Sequence, residues 1–369
     1  MNRIPFPQPL RTIWLDENQR LFVIDQTRLP HEETVVELRS LEDVYQVIVQ
    51  MIVRGAPLIG VTAAYGMWFA AKEANELEPQ MDLLSACHKL KDSRPTAVNL
   101  FICLDRVMEA IQTCTNKEEY IQTTLQIANQ LVEEDIEICY QIGRAGLPLI
   151  ETISKQKGGQ TVHILTHCNA GMMGCIQWGT ISSPIYQALD KGIDLHVWVD
   201  ETRPRNQGAN LTAWELERHK VPHTLIVDNT GGHLMQHKMV DLVLVGTDRT
   251  TRKGDVANKI GTYLKALAAK DNQIPFYVAL PSTTIDWNIY DGIQEIPIEE
   301  RNPDEVRFVY GLNSNHQFDK VRICPENTGA KNYGFDVTPA RLVTGLITER
   351  GICKAEESDM LRLFPEMIK

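Results

Sequence analysis

The chain has 369 residues, a formal net charge of −11 and an isoelectric point near 5.4. That length suits one large or two ordinary domains with a sizeable core, and the acidic balance argues against nucleic acid as a partner. No apolar run is long enough to cross a bilayer, the N-terminal segment MNRIPFPQPLRTIWLDENQ has no apolar signal core, and no CxxC pair occurs among eight scattered cysteines. A soluble cytoplasmic protein with free thiols and no zinc site is expected.

Short strand-like runs open the chain at Leu21–Ile24 and 35–37. Apolar residues at helical spacing predict helices over 41–53 and 62–74. Ser93-Arg94-Pro95 predicts another helix start, with Ser93 as cap and Pro95 in the first turn, running to about Ile111. A long helix is expected from Lys117 to Gly143, with a possible extension to Gly146. Near residue 150 the pattern changes. Apolar runs at Val162–Thr166, 195–199, 224–227, Leu242–Val245 and 276–280 alternate with helix-compatible segments. That pattern predicts a parallel sheet with helices on both faces, which binds ligands at the carboxyl ends of its strands.

Polar groups gather at those ends. His167-Cys168-Asn169 follows the first run, Asp200 to Gly208 the second, Asp228-Asn229 the third and Thr247-Asp248-Arg249 the fourth. Cys168 sits where a strand gives way to a predicted helix, whose unpaired N–H groups favour a thiolate; a buried structural thiol is the alternative. A dyad with His167 is a poor reading, since adjacent strand residues face opposite ways. Asp248 at a pocket base suits a general acid with a raised pKa; a helix cap or an ion pair with Arg249 is the alternative.

The segment 254–261 leads into a helix ending near Lys270, whose first-turn N–H groups suit a phosphate beside Lys259; an ordinary capped helix is the alternative. Arg54-Gly55-Ala56 offers a forked donor and close backbone approach to an anion, and Arg94 is a second candidate. Either arginine alone also reads as a surface ion-pair partner. Asp200 stands where nicotinamide-binding folds keep a ribose-binding acid. However, the first strand-to-helix turn is HCNAGMMG rather than GxGxxG, so a dinucleotide-dependent oxidoreductase is disfavoured.

RGAPLIG, SRPTAVNL, ILTHCNAG, VDETRPRNQGANLTAWEL, GTDR, GDVANKIGTYLKALA and FDVTPA occur in this order. Together they resemble the methylthioribose-1-phosphate isomerase family over nearly the whole chain. That family shares a superfamily with ribose-1,5-bisphosphate isomerases and the regulatory subunits of a translation initiation exchange factor. The resemblance implies an α/β fold: a smaller, mainly helical N-terminal domain with a little antiparallel sheet (1–148), then a Rossmann-like catalytic domain (149–369). It implies a homodimer acting on a small sugar phosphate in methionine salvage, without metal or organic cofactor. It implies Cys168 and Asp248 as catalytic residues, and substrate contacts at Arg54, Gly55, Ala56, Arg94, Gln207, Asn258 and Lys259. Departures border the expected pocket: Met172-Met173-Gly174-Cys175 after HCNAG, Thr247 in place of an alanine, and Thr250 to Lys253 after Arg249. They leave open another C5-modified sugar 1-phosphate, such as 5-deoxyribose 1-phosphate. A non-catalytic regulatory subunit predicts loss of the Cys–Asp pair, which is present.

Overall fold

The computed structural model describes residues 6–94 and 98–368. Three antiparallel strands come first: β1 (Ile13–Leu15), β2 (Leu21–Ile24) and β3 (Val35–Leu38). Leu21 and Val23 of β2 enter the helical core, while Ile24 joins a small cluster with Met172, Met173 and Trp214. Four helices follow: α1 (Leu41–Val49), α2 (Ala56–Glu73), α3 (Pro79–Ser93) and α4 (Val98–Ala110). α2 is buried without a break from Leu58 to Ala71, because α1, α3, α4 and the long α5 (Lys117–Gln156) surround it.

The helix limits differ from the expected ones for local reasons. α1 stops at Val49, before Met51 at φ 58°. α2 begins six residues before position 62, at the turn that Arg54-Gly55 makes. Ser93 is the last residue of α3 rather than a cap, and its hydroxyl donates to Leu90 O; the expected first-turn Pro95 lies outside the described residues. α5 runs on past Gly143 and Gly146. A Cβ at Gly143 would meet Ser183 Oγ at 2.1 Å, and one at Gly146 would meet Pro184 Cβ at 3.0 Å. Both glycines therefore serve close packing against α6 (Ser182–Asp190) rather than helix termination. The expected boundary at 148 falls inside α5, whose early turns enter the helical core and whose later residues Ile142, Leu147 and Ile150 enter the sheet core.

The central sheet has seven strands. In chain order they are β4 (Val162–Thr166), β5 (Leu195–Asp200), β6 (His223–Ile226), β7 (Leu242–Val245), then, after β8 (Arg249–Thr251) and β9 (Val256–Lys259), β10 (Phe276–Ala279). After β11 (Ile285–Asp286), a hairpin of β12 (Phe308–Leu312) and β13 (Phe318–Arg322), and β14 (Phe335–Thr338), the sheet closes with β15 (Gly345–Thr348) and β16 (Gly351–Cys353). The spatial order is β16-β15-β10-β7-β4-β5-β6, parallel except for β16. Alternate residues of β7 divide between two cores: Leu242 and Leu244 on one face, Val243 and Val245 on the other. This explains the continuous apolar runs in the sequence. A second sheet, β11-β8-β9-β14, stands beside the first. No helix among the described residues is long and apolar enough to cross a membrane.

Candidate active site

β4 and β7 are neighbours, and the chain order reverses between them: β5 and β6 lie on one side, β10 and β15 on the other. At such a switch point the loops from two strand ends part and leave a crevice. Cys168 follows β4, Asp248 follows β7, and both line one cavity there. Gly246 lets the two loops meet, since a Cβ on it would stand 2.4 Å from Ala170 Cβ. A wider surface groove beside Lys253 and Tyr290 contains neither residue.

Cys168 is 7% exposed and adopts φ 65°, in the left-handed region. Its N–H donates to Thr202 Oγ1 at 2.8 Å, and its carbonyl accepts from Thr212 Oγ1 at 2.7 Å. These two hydroxyls hold the turn against its backbone strain. The expected helix N-terminus is not there: only a short 3-10 turn, Met172–Gly174, follows, and α6 starts at Ser182. The positive charge near the thiol comes instead from Lys259, which interacts with both Cys168 and Asp248. His167 turns away from the cavity, its ring nitrogens 2.9 Å from Asp200 Oδ2 and 2.9 Å from Ile260 O. The same oxygen of Asp200 also holds Lys265 Nζ at 3.1 Å, so this buried acid faces His167 and Lys265 rather than the cavity.

Asp248 donates its N–H to Ala257 O at 2.9 Å. Thr247, one of the departures, pins the same turn: its hydroxyl is 2.9 Å from both Arg249 O and Ala257 O. Arg249 pairs with Asp286 at 3.6 Å. Burial pushes the Asp248 carboxyl up, and Lys259, Arg54, Arg301 and Arg94 offset only part of that rise. Such a carboxyl keeps its proton further toward neutral pH, as a general acid requires.

The same cavity also gathers the cationic residues and the start of α2. Gly55, at φ 91°, precedes α2, and a Cβ on it would meet Gly174 Cα at 2.3 Å. No side chain caps α2, and its first residues, Ala56 and Pro57, line the cavity; Pro57 carries no N–H, which leaves that of Ala56 as the helix-start donor there. Arg54 is aimed by Asn169: Nη1 donates to Oδ1 at 2.6 Å and Nη2 to the backbone carbonyl at 2.8 Å. Arg94 and Gln207 line the same cavity, and Arg94 Nη1 and Gln207 Oε1 are buried without a partner among the described residues. Asn258 and Lys259 come from β9, because the segment 254–261 contains a strand as well as the turn into a helix. The helix that follows, α7 (Thr262–Asp271), offers no phosphate site at its start. Asp336 already accepts from Gly261 N at 2.7 Å and Tyr263 N at 3.1 Å.

All nine residues singled out from the sequence therefore line one cavity. Sequence reasoning passed over Asn169, Glu215 and Arg301. Glu215 is buried and accepts from Asn169 Nδ2 at 2.8 Å and from Met172 N and Met173 N at 2.9 Å. An acid amid the apolar TAWEL run was the available signal. Arg301 sits in a polar stretch with no periodic context. Of the Met172–Cys175 departure, Met172 and Met173 pack into the cluster with Ile24 and Trp214, while Gly174 and Cys175 line the cavity.

Residues 52–355 match the initiation factor 2 subunit family. The chain belongs to that family. Within it, the chain is 57% identical over 362 residues to the methylthioribose-1-phosphate isomerase of Desulfosudis oleivorans, covering 98% of both. It is 56% identical to the protein of the same name from Desulfatibacillum aliphaticivorans, covering 97% of this chain and 98% of that one. Among solved structures of the initiation factor 2 subunit family's fold, 5-methylthioribose 1-phosphate isomerase from Pyrococcus horikoshii OT3 superposes with a TM-score of 0.84 at 34% identity, covering 96% of each chain. The A. fulgidus translation initiation factor eIF-2B, subunit delta, superposes at 0.81 with 37% identity, covering 96% and 99%. The chain thus falls in the methylthioribose-1-phosphate isomerase branch of the family.

Proposed function

We propose that this isomerase interconverts 5-methylthioribose 1-phosphate and 5-methylthioribulose 1-phosphate, an aldose–ketose step of methionine salvage. The observation that carries the reading is one cavity uniting Cys168 and Asp248 with an uncapped helix start, Arg54, Lys259 and the unpartnered Arg94 Nη1. A phosphate needs the cations and the backbone N–H groups. The sugar carbons need an acid and a base within reach of each other. The names of the relatives supply the substrate.

A sugar phosphorylated on its anomeric oxygen cannot open as a free hemiacetal does. In the proposed mechanism Asp248 protonates the ring oxygen as the bond from that oxygen to C1 breaks. Cys168, as thiolate, then takes the proton from C2, giving an enediol-like species with a C1–C2 double bond. The thiol returns a proton to C1 while the C2 hydroxyl gives its proton to the Asp248 carboxylate. Both residues end as they began.

Met51, Arg54 and Gln207 also line a second cavity of about 420 Å³, which Leu211, Tyr310 and Phe318 flank. This leaves room beside apolar side chains for a C5 methylthio group. A cytoplasmic homodimer belongs to the same proposal.

The test is turnover by purified protein on 5-methylthioribose 1-phosphate, 5-deoxyribose 1-phosphate and ribose 1,5-bisphosphate. Preference for the first supports the proposal. Preference for another keeps the chemistry and changes the substrate. No turnover on any makes a non-catalytic subunit the leading reading. Substrate deuterated at C2 separates proton transfer, which washes label into solvent, from a hydride shift, which retains it.

A further inference from the structure

Arg301 lies on the long connection between β11 and β12. Its N–H donates to Asn332 O at 2.8 Å, which anchors the backbone. The side chain is only 10% exposed, and its one hydrogen-bond acceptor among the described residues is Glu299 Oε2, at 3.0 Å from Nη2. The guanidinium carbon stands 5.4 Å from the centre of the Phe335 ring. Lys259 Nζ stands 4.9 Å from the same centre. One aromatic ring therefore gathers two cations beside the cavity. The neighbouring Gly334 leaves the guanidinium its space, since a Cβ there would stand 3.3 Å from Arg301 Nε.

Arg94 completes the group, with a buried and unpartnered Nη1. Arg94, Lys259 and Arg301 all line the catalytic cavity. Arg301 is the leading charged neighbour that, after burial itself, holds both Arg94 and Lys259 below their usual values. Like charges in a poorly solvated wall repel one another; Asp248 and Glu299 offset part of that repulsion, and a bound anion would offset more. Glu299 takes one nitrogen of the fork and leaves the others for that anion.

We propose that Arg301 is a further substrate-binding residue, its guanidinium completing with Arg94 and Lys259 the seat of the substrate's phosphate. The identity of the sugar rests on the isomerase reading; the seat for a phosphate does not.

The experiment compares wild type, Arg301→Gln, Arg301→Lys and, as a matched loss of one charge, the exposed and remote Arg39→Gln. Two readouts are taken: the rise in melting temperature with added inorganic phosphate, and KM and kcat for 5-methylthioribose 1-phosphate. The expected result is loss of most of the phosphate-dependent rise in Arg301→Gln. KM should increase about ten- to a hundredfold, as for a lost charged hydrogen bond, with a smaller change in kcat. Arg301→Lys should fall between, and Arg39→Gln should match wild type. A wild-type phosphate response together with an unchanged KM in Arg301→Gln overturns the proposal. Should that variant not fold, Arg301→Lys decides: it keeps the charge without the fork, and an unchanged KM overturns the proposal. Should wild type turn over no sugar phosphate, the isomerase reading falls while the phosphate response still decides the role of Arg301.

Discussion

Arg54 and Asn169 are 115 residues apart in the chain, yet the arginine fork closes on both oxygens of the asparagine, at 2.6 and 2.8 Å. Asn169 presents Oδ1 to the arginine because its Nδ2 is claimed by Glu215 at 2.8 Å and lies 3.1 Å from Thr212 Oγ1. Buried Glu215 thus orients an asparagine, which orients the arginine beside the Gly55 turn.

Glu215→Gln tests that chain. The amide keeps the shape but puts N–H bonds where the carboxylate faced N–H donors. A loss of about 1.5–3 kcal/mol of stability is expected, the range for hydrogen bonds to a charged group. KM should rise as Arg54 loses its fixed aim. Denaturant midpoints and KM check the two parts separately; a stability loss with unchanged KM would confine Glu215 to the fold.

Lys259 is held at about 8 by burial, with Arg301 the largest electrostatic contributor. Only its ammonium form attracts a phosphate, so binding should weaken as pH rises through that value. Above about pH 8, KM should climb by up to about tenfold per pH unit. Lys259→Arg keeps its charge throughout and should flatten this limb. A KM profile from neutral to alkaline pH is the check; a wild-type profile flat across the range would contradict it.

Cys168→Ser and Asp248→Asn should each lower kcat by about a hundred- to ten-thousandfold, the usual worth of a positioned acid or base. Both should keep the phosphate-dependent rise in melting temperature, because the cation wall is untouched. Near-normal turnover in Asp248→Asn would remove the acid from the mechanism.

Asp135 on α5 is buried, accepts from Ile176 N at 2.9 Å, and is raised by burial to about 7. The folded protein holds this proton where the unfolded chain has released it. The stabilising contribution is complete below the ordinary carboxyl value and disappears as pH rises from about 4 to about 7. Asp135→Asn should therefore gain on wild type across that window and keep a constant advantage above it. Melting temperatures at acid and neutral pH measure the difference; an equal shift at both would exclude titration of Asp135.

The parallel sheet was legible because a strand buried on both faces must be apolar throughout, as Leu242 to Val245 are. Polar residues after each apolar run marked the candidate site, but that Cys168 and Asp248 follow adjacent strands emerges only from the strand order. Helix limits were less legible. Gly143 and Gly146 resemble a stop in one dimension, and only α6 reveals them as packing surfaces. The strand β9 was hidden because Val256 to Lys259 is too short and polar to show a period, and its partner β14 lies some eighty residues on. Arg301 was invisible for a related reason: only the folded ring of Phe335 reveals what it is for.

α5, 40 residues long and therefore about 60 Å, belongs to both hydrophobic cores. A cut at residue 148 would therefore fall within a helix that both cores pack against. Expressing the two halves apart, split at residue 148, would saw through a beam that each half needs whole. The turn at Arg54 and the loop at Cys168 are clasped to each other directly, by the two Arg54–Asn169 hydrogen bonds and by the close approach of Gly55 to Gly174.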